Sequence, residues 1–448
     1  APIAKVGGMG DVVTALSRAV IEEGHSVEVI LPKYDCMDHG LIDGLRRVDQ
    51  FRQGNADIVV WRGEVEEVPV VFLHPSNGHF DVGVIYGRGD DHVRFGFFAE
   101  CALAWMKHSG DRPDVVHAHD WPSAPAVSAN RRLLPPGAAT AITIHNLNFG
   151  SDLIGRAMEA CNFATTVSPT YLSEIQGHGA IRNHRKKMIG IRNGIDVDVW
   201  DPSNDALLPM GYDQYSFQAG KAAARALISE RLKLSLPIGE NVTPLVGVVA
   251  RLTNQKGIHL IKRAVFRTLE RGGQFVLLGS APDGNVQRDF EKMAADVQAR
   301  YPGQAGFMFT YDEPLSHLVY AGSDMLLVPS MFEPCGLTQL ISMRYGTVPV
   351  VRRTGGLRDT VFDVDDDVTR AAEAGLRPNG FAFDGVEDHA IDYALDRAMA
   401  MYKGNALRWT ELVGHVMAQD WSWADPAATY VDAYWKAAKK VQQGDQQR

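Results

Sequence analysis

Four short apolar runs between residues 115 and 191 constrain the fold of this chain more than any other feature, because each one ends in polar residues of the same kind. Val115-Val116-His117-Ala118-His119 runs into Asp120-Trp121, and Thr140–Ile144 runs into His145-Asn146. Ala164–Val167 leads to Ser168-Pro169, and Met188–Ile191 leads to Asn193-Gly194. Apolar, β-branched runs of this length between helical stretches predict successive strands of a parallel sheet. The carboxyl edge of such a sheet is where ligands bind, so the repeated polar endings point to a site there.

A second strand–helix rhythm follows. Leu245–Val249, Gln274–Leu278, Gly306–Phe309, Met325–Val328 and Thr347–Val351 read as strands, with helices beginning near Gly257, Val286, Leu315 and Leu337. At 448 residues the chain is too long for one ordinary core. The reading is therefore α/β with two doubly wound domains, 1–202 and 203–420, and a C-terminal helix in 421–448 that crosses back to the first. Asp201-Pro202-Ser203-Asn204-Asp205 is the turn-rich passage between them. Residues 40–90 break the rhythm: Ile58–Trp61, Val68–Leu73 and Val84–Tyr86 are short alternating pieces that suggest an added hairpin region.

The chain opens on Lys5-Val6-Gly7-Gly8-Met9-Gly10-Asp11, followed by an amphipathic helix to about Glu23, with Asp11 where an N-cap can stand. Glycines at a helix start let the backbone approach a phosphate, with free N–H groups and the helix dipole directed at it. A plain glycine connection fits the same residues, since the third glycine of a dinucleotide fingerprint and the Gly-Lys-Ser/Thr of a P-loop are both missing. An open α/β sheet places a strand ahead of such a turn, so a strand is expected before residue 1. The next strand is read at Ser26–Leu31, ended by Pro32.

A net charge of −9 argues against nucleic acid as a partner, though not against a local basic site for an anion. Four dispersed cysteines, Cys36, Cys101, Cys161 and Cys335, have neither disulfide-framework nor zinc-cluster spacing. No apolar run approaches membrane-spanning length, which argues against a membrane partner.

Three stretches of the second domain combine chemistry-bearing residues with a helix start. Arg251-Leu-Thr-Asn-Gln-Lys256-Gly257 supplies two cations suited to phosphoryl oxygens, although a capped helix with two surface cations reads the same way. Phe332-Glu333-Pro-Cys335-Gly336-Leu337-Thr338 joins a carboxylate to a fresh helix N-terminus, and Thr354-Gly-Gly-Leu-Arg-Asp359 repeats that shape. His117 and His119 share a strand face but lack a third ligand at metal spacing, so no metal is expected. Glu333 with Asp120 as a glycosidase-like pair leaves the phosphate features unexplained. Cys335 as a nucleophile has no assigned base, and a helix-capping or packing role suits it better.

In order along the chain, Lys5-Val-Gly-Gly-Met-Gly-Asp11, His117-Ala-His-Asp-Trp121, Ile144-His-Asn146, Asn193-Gly-Ile-Asp196, Arg251 to Gly257, Tyr311, Glu333-Pro-Cys-Gly-Leu-Thr-Gln339 and Thr354-Gly-Gly-Leu357 resemble the motifs of starch and bacterial glycogen synthases, the family 5 retaining glucosyltransferases. Leu31-Pro-Lys-Tyr34 and Val350-Val-Arg-Arg-Thr-Gly-Gly look most like plant or algal starch synthases of the III/IV type. The resemblance implies a GT-B fold with the site in a cleft between two Rossmann-like domains. It implies transfer of glucose from ADP-glucose to an α-1,4-glucan, with no metal or other cofactor. A related enzyme using UDP-glucose, or a glucan-binding protein with weak catalysis, are the alternatives.

Carried over by resemblance, Lys5, Gly7, Gly8, Gly10 and Asp11 close over the distal phosphate and glucose. Arg251 and Lys256 hold the diphosphate, and Glu333 contacts the sugar. Backbone N–H groups at Gly336, Leu337 and Thr338 donate to hydroxyls or phosphate, and Cys335 belongs to the same donor-binding run. His145 lies at the reacting carbon with Asp120 and Asn146 nearby, Asn193 positions the donor, and Tyr311 stacks on adenine. Met9 replaces the leucine of most relatives, a neutral packing change. The compartment implied is a plastid for a plant or algal host and the cytoplasm for a bacterial one.

Overall fold

A computed structural model describes residues 3–4, 7–128, 133–236 and 243–445, and the chain divides into two units. The first is Ala1–Gly194 with Trp423–Arg448, and the second is Ile195–Ser422.

Among the described residues the first unit contains two sheets. Strands β1 (Val29–Pro32), β2 (Asp43–Gln53), β3 (Ala56–Val65) and β4 (Val68–Pro75) lie in the order β1-β4-β3-β2. Only the β1–β4 pair in that sheet is parallel; the β4–β3 and β3–β2 pairs are antiparallel. Strands β5 (Val115–His119), β6 (Ala139–Ile144), β7 (Phe163–Thr166) and β8 (Met188–Gly190) form a parallel sheet in sequence order. Every residue of β6 and β7 is buried, as parallel strands covered on both faces require. The helix Ala424–Asp445 contributes Ala427, Tyr430, Ala433 and Ala437 to the buried clusters of this unit, beside Val12 and Leu16 of helix Gly8–Glu22 and Ala139 and Ala141 of β6.

Two expectations need correction here, and one strand was not expected. β1 starts at Val29 and includes Pro32, which pairs with Leu73; as the last residue of an edge strand, proline costs no ladder bond. β2 is an added strand whose charged sequence hid it. Val84–Tyr86 forms no strand: the carbonyls of Val84 and Ile85 accept instead from the Arg94 guanidinium of helix Asp91–Ser109, at 3.5 and 3.4 Å.

The second unit carries one parallel sheet of β9 (Leu245–Val249), β10 (Gln274–Leu278), β11 (Ala305–Met308), β12 (Met325–Val328), β13 (Val348–Arg352) and β14 (Phe381–Phe383). Its order, β11-β10-β9-β12-β13-β14, is that of a dinucleotide-binding sheet, with the reversal of winding between β9 and β12. Capping follows the local sequence: Asp283 accepts from the N–H of Asn285 at 2.8 Å, and Asp312, followed by Pro314 in the first turn, from that of Leu315 at 2.9 Å. Asp324 joins the starts of two strands by accepting from Leu245 N–H at 2.8 Å and Arg225 at 3.1 Å. The segment before helix Phe217–Leu232 is fastened to this unit through Asp205, which receives His317 and the Tyr345 hydroxyl at 2.6 Å each. Among the described residues no helix is long and apolar enough to cross a membrane.

Candidate functional site

In the first unit the polar endings of β5 and β6 are laced together. Asp120 follows β5 at φ +55°, a left-handed conformation that aspartate tolerates better than most residues, and opens the helix Asp120–Ser128. That turn carries its carboxylate to the end of β6, where Oδ1 accepts the N–H of His145 at 2.7 Å and of Asn146 at 3.3 Å. His145 is buried, and its Nε2 lies 3.0 Å from Nδ1 of His119. The Asn146 side chain folds back to accept the N–H of Asn148 at 3.1 Å. Asn193, only 2% exposed, has no hydrogen-bond partner for its Oδ1 among the described residues.

Burial sets the charge of this cluster. It pushes His119 down to about 4 and holds His117 and His145 well below the usual imidazole range, with neighbouring imidazoles acting in the same direction. Burial also pushes Asp120 up to about 7, against the opposing hydrogen bonds from His145 and Asn146. The two effects oppose each other in stability. Each histidine takes up a proton below about pH 6.5 only when unfolded, so its contribution is present above that pH and lost as pH falls. Asp120 holds a proton when folded that the unfolded chain releases near pH 4, so its contribution is full below that and lost as pH rises through about 7. Near pH 5 the cluster thus takes up roughly two protons on unfolding, and stability falls as the solution is acidified from about pH 6.5. Urea unfolding across this range should show Asp120→Asn with the steeper dependence, by about one proton. An unchanged slope would mean that Asp120 does not carry the raised value.

The opening stretch differs from its expected form. Gly7 is extended, at φ −169°, and caps a helix that already begins at Gly8. Asp11 is therefore in the first helical turn rather than at the cap, where its charge still favours the positive helix end. The Gly10 N–H is taken by Gly7 O at 3.2 Å, so it is not open to a ligand as placed. Lys5 lies outside the described residues.

In the second unit the loops after β9 and β12 meet at the switch point. Lys256 Nζ lies 2.5 Å from Glu333 Oε2, which also accepts the Ser330 hydroxyl at 2.7 Å. Glu333 is 7% exposed. The loops are tied by Met331 N–H to Gln255 O at 2.7 Å and braced by Arg352, which donates to Met331 O at 2.8 Å. Gly257 stands at φ +69°, where a Cβ would fall 2.2 Å from Pro329 O, so only glycine admits this approach. Arg251 is exposed and has no ion-pair partner among the described residues. The N–H groups of Gly336, Leu337 and Thr338 have no acceptor among the described residues. Cys335 is buried, with its thiol 3.5 Å from Gly336 O.

The third glycine-bearing loop has a different task from the one its sequence suggested. A Cβ on Gly355 would lie 2.0 Å from Glu333 O, and one on Gly356 would lie 1.9 Å from Cys335 O. The Gly356 N–H already donates to Glu333 O at 3.0 Å. These glycines let one loop press against the other and so hold Glu333 in place. Tyr311, 80% exposed, follows the outermost strand, β11.

The structure therefore gathers His145, Asp120 and Asn146 in one unit, and Lys256, Glu333 and the Gly336–Thr338 N–H groups in the other. Ser330, Arg352 and the His119 contact with His145 were not singled out from sequence for this role. A polar residue at a strand end was the available signal for Ser330 and His119. Among the described residues no three His, Cys, Asp or Glu side chains gather as a metal site would need.

Comparison with known proteins adds an independent line. A family model described as the starch synthase catalytic domain matches residues 1–154, and one of the group 1 glycosyl transferases matches residues 243–379. Soluble starch synthase 3, chloroplastic/amyloplastic, of Solanum tuberosum is 51% identical over 446 residues, which is 99% of this chain and 36% of that protein. The chain thus spans well under half of that relative's length. Glycogen synthase 2 of Methylococcus capsulatus is 37% identical, with 97% of each chain covered. The catalytic domain of starch synthase IV from Arabidopsis thaliana, solved with ADP and acarbose, superposes with a TM-score of 0.90 at 38% identity, covering 98% of this chain and 97% of that one.

Proposed function

The chain belongs to the starch synthase and glycogen synthase family of GT-B glucosyltransferases, and from that premise we propose that it extends α-1,4-glucans with glucose from ADP-glucose. The observation that carries this reading is the Lys256–Glu333 pair at the switch point of the second sheet, beside the open N–H groups of Gly336–Thr338. In the reaction the bond between glucose C1 and the β-phosphate oxygen breaks, and a bond from C1 to the acceptor hydroxyl oxygen forms on the same face. The acceptor proton leaves on the departing phosphate. Negative charge grows on that phosphate as the bond breaks, so fixed cations and N–H donors there lower the barrier more than they tighten substrate binding.

Arg251 and Lys256 are assigned to the diphosphate, Glu333 to the glucose hydroxyls and Tyr311 to the adenine face. Cys335 shapes the turn that presents the N–H groups of Gly336, Leu337 and Thr338. In the first unit His145, held by Asp120 with Asn146 beside it, is assigned to the reacting carbon, and Asn193 to the donor sugar. The neutral, buried state of His145 suits a hydrogen-bonding role there more than that of a cation. Lys5 with Gly7, Gly8, Gly10 and Asp11 is assigned to the distal phosphate and sugar. With plant relatives named as chloroplastic or amyloplastic, the compartment proposed is a plastid.

Transfer of radiolabel from ADP-glucose into glycogen or amylopectin tests the proposal, with UDP-glucose and small acceptors run alongside. Incorporation into polymer from ADP-glucose is the expected result. A folded protein that instead uses UDP-glucose, or binds glucan without turnover, would overturn it.

A further inference from the structure

Beneath His145 lies a chain of rings and hydroxyls for which the proposed chemistry has no use. The Tyr434 hydroxyl, on helix Ala424–Asp445, is 2.7 Å from Nδ1 of His117, whose Nε2 is 2.7 Å from the Thr143 hydroxyl. Thr143 continues to Thr165 at 2.6 Å, and Thr165 to the Tyr430 hydroxyl at 3.3 Å. Both nitrogens of His117 are thus engaged, so the ring can neither turn nor flip without losing a hydrogen bond. His119 packs against that ring at a tilt, with centroids 4.3 Å apart and planes 32° apart. From there its Nδ1 reaches His145 Nε2 at 3.0 Å.

Two neutral imidazoles joined in this way share one proton: one nitrogen donates and the other accepts. Nε2 of His145 is committed to His119, which leaves Nδ1 as the one ring nitrogen with which His145 can meet a substrate. Whether that Nδ1 carries a hydrogen is decided by which way the shared bond points. We infer that His119 is a positioning residue that fixes the ring plane and tautomer of His145, and that His117, anchored by the Tyr434 hydroxyl, is the floor that keeps His119 in place. The inference rests on the assignment of His145 to the reacting carbon. It gives the C-terminal helix a part in the chemistry although none of its residues is assigned to substrate.

Two measurements on the full chain test it: steady-state kinetics, and nitrogen-15 spectra of the histidine rings with His145 assigned through His145→Gln. His119→Ala is expected to lower kcat by roughly tenfold to a hundredfold, as small misplacements of a reacting group do. The donor KM should stay within about twofold, since a positioning loss falls on the transition state. The His145 signals should pass from one neutral tautomer to a mixture. His119→Asn, whose amide sits near the position of Nδ1, should recover most of the rate, and Tyr434→Phe should give a smaller fall in the same sense. An unchanged kcat in folded His119→Ala, or His145 signals identical to wild type in His119→Ala and His119→Asn, would overturn the inference. If the wild type transfers no glucose the functional reading fails instead, and the spectra still decide whether His119 sets the His145 tautomer.

Discussion

Glu333→Ala should lower glucosyl transfer by roughly a hundredfold or more, while the second unit still folds. The carboxylate receives Lys256 at 2.5 Å and Ser330 at 2.7 Å, so removing it frees the lysine to swing away from where the departing phosphate is assigned. Folding is spared because the Lys256 side chain is 20% exposed and can recover solvation from water. Glu333→Gln separates shape from charge: it keeps the Ser330 contact and the volume but lacks the ion pair. Most of the rate should be lost in Gln as well as in Ala, with both melting within a few degrees of wild type. Near-normal turnover in either would remove Glu333 from the catalytic group.

Arg94→Leu should destabilise the first unit by about 3–5 kcal/mol, the usual cost of removing one partner of a buried ion pair. Arg94 is 0% exposed and donates to Asp91 Oδ1 at 2.5 Å and to His79 O at 2.6 Å, as well as to the carbonyls of Val84 and Ile85. Its guanidinium also lies over Phe80 and Phe95, 5.2 and 5.5 Å from the ring centroids. Leucine fills part of the volume but leaves the Asp91 carboxylate without its guanidinium partner and the carbonyls without that donor. Calorimetry should show the melting temperature of that unit lowered by roughly 10 °C. A change of a degree or two would mean that water or a neighbouring donor replaces the arginine.

Much of this arrangement was legible because parallel strands leave a simple mark. A fully buried strand such as Gln274–Leu278 reads as an unbroken apolar run after its first residue, and its flanking turns announce its ends. What could not be read has specific causes. Strand β2, Asp43–Gln53, is largely exposed and rich in arginine and aspartate, so no alternation betrays it. β14, Phe381–Phe383, is three residues long, too short for any period to show. Val84–Tyr86 has a strand's composition, but its carbonyls are claimed by Arg94, a competition that no local pattern records. The glycines at 355 and 356 read as an anion-binding turn, yet backbone from the Glu333 loop occupies the space beside them.

The sequence by itself determined the strand–helix rhythm, the polar strand ends and the ordered motifs by which the family is recognised, because these depend on residues near one another in the chain. Tertiary structure alone decided which of those groups meet. Lys256 and Glu333 are 77 residues apart, and His117 and Tyr434 are 317 apart. Their pairing follows from sheet order, which brings β9 beside β12 and lays the last helix against β6. Sheet order is set by the burial of whole faces, and no single stretch of chain carries that information.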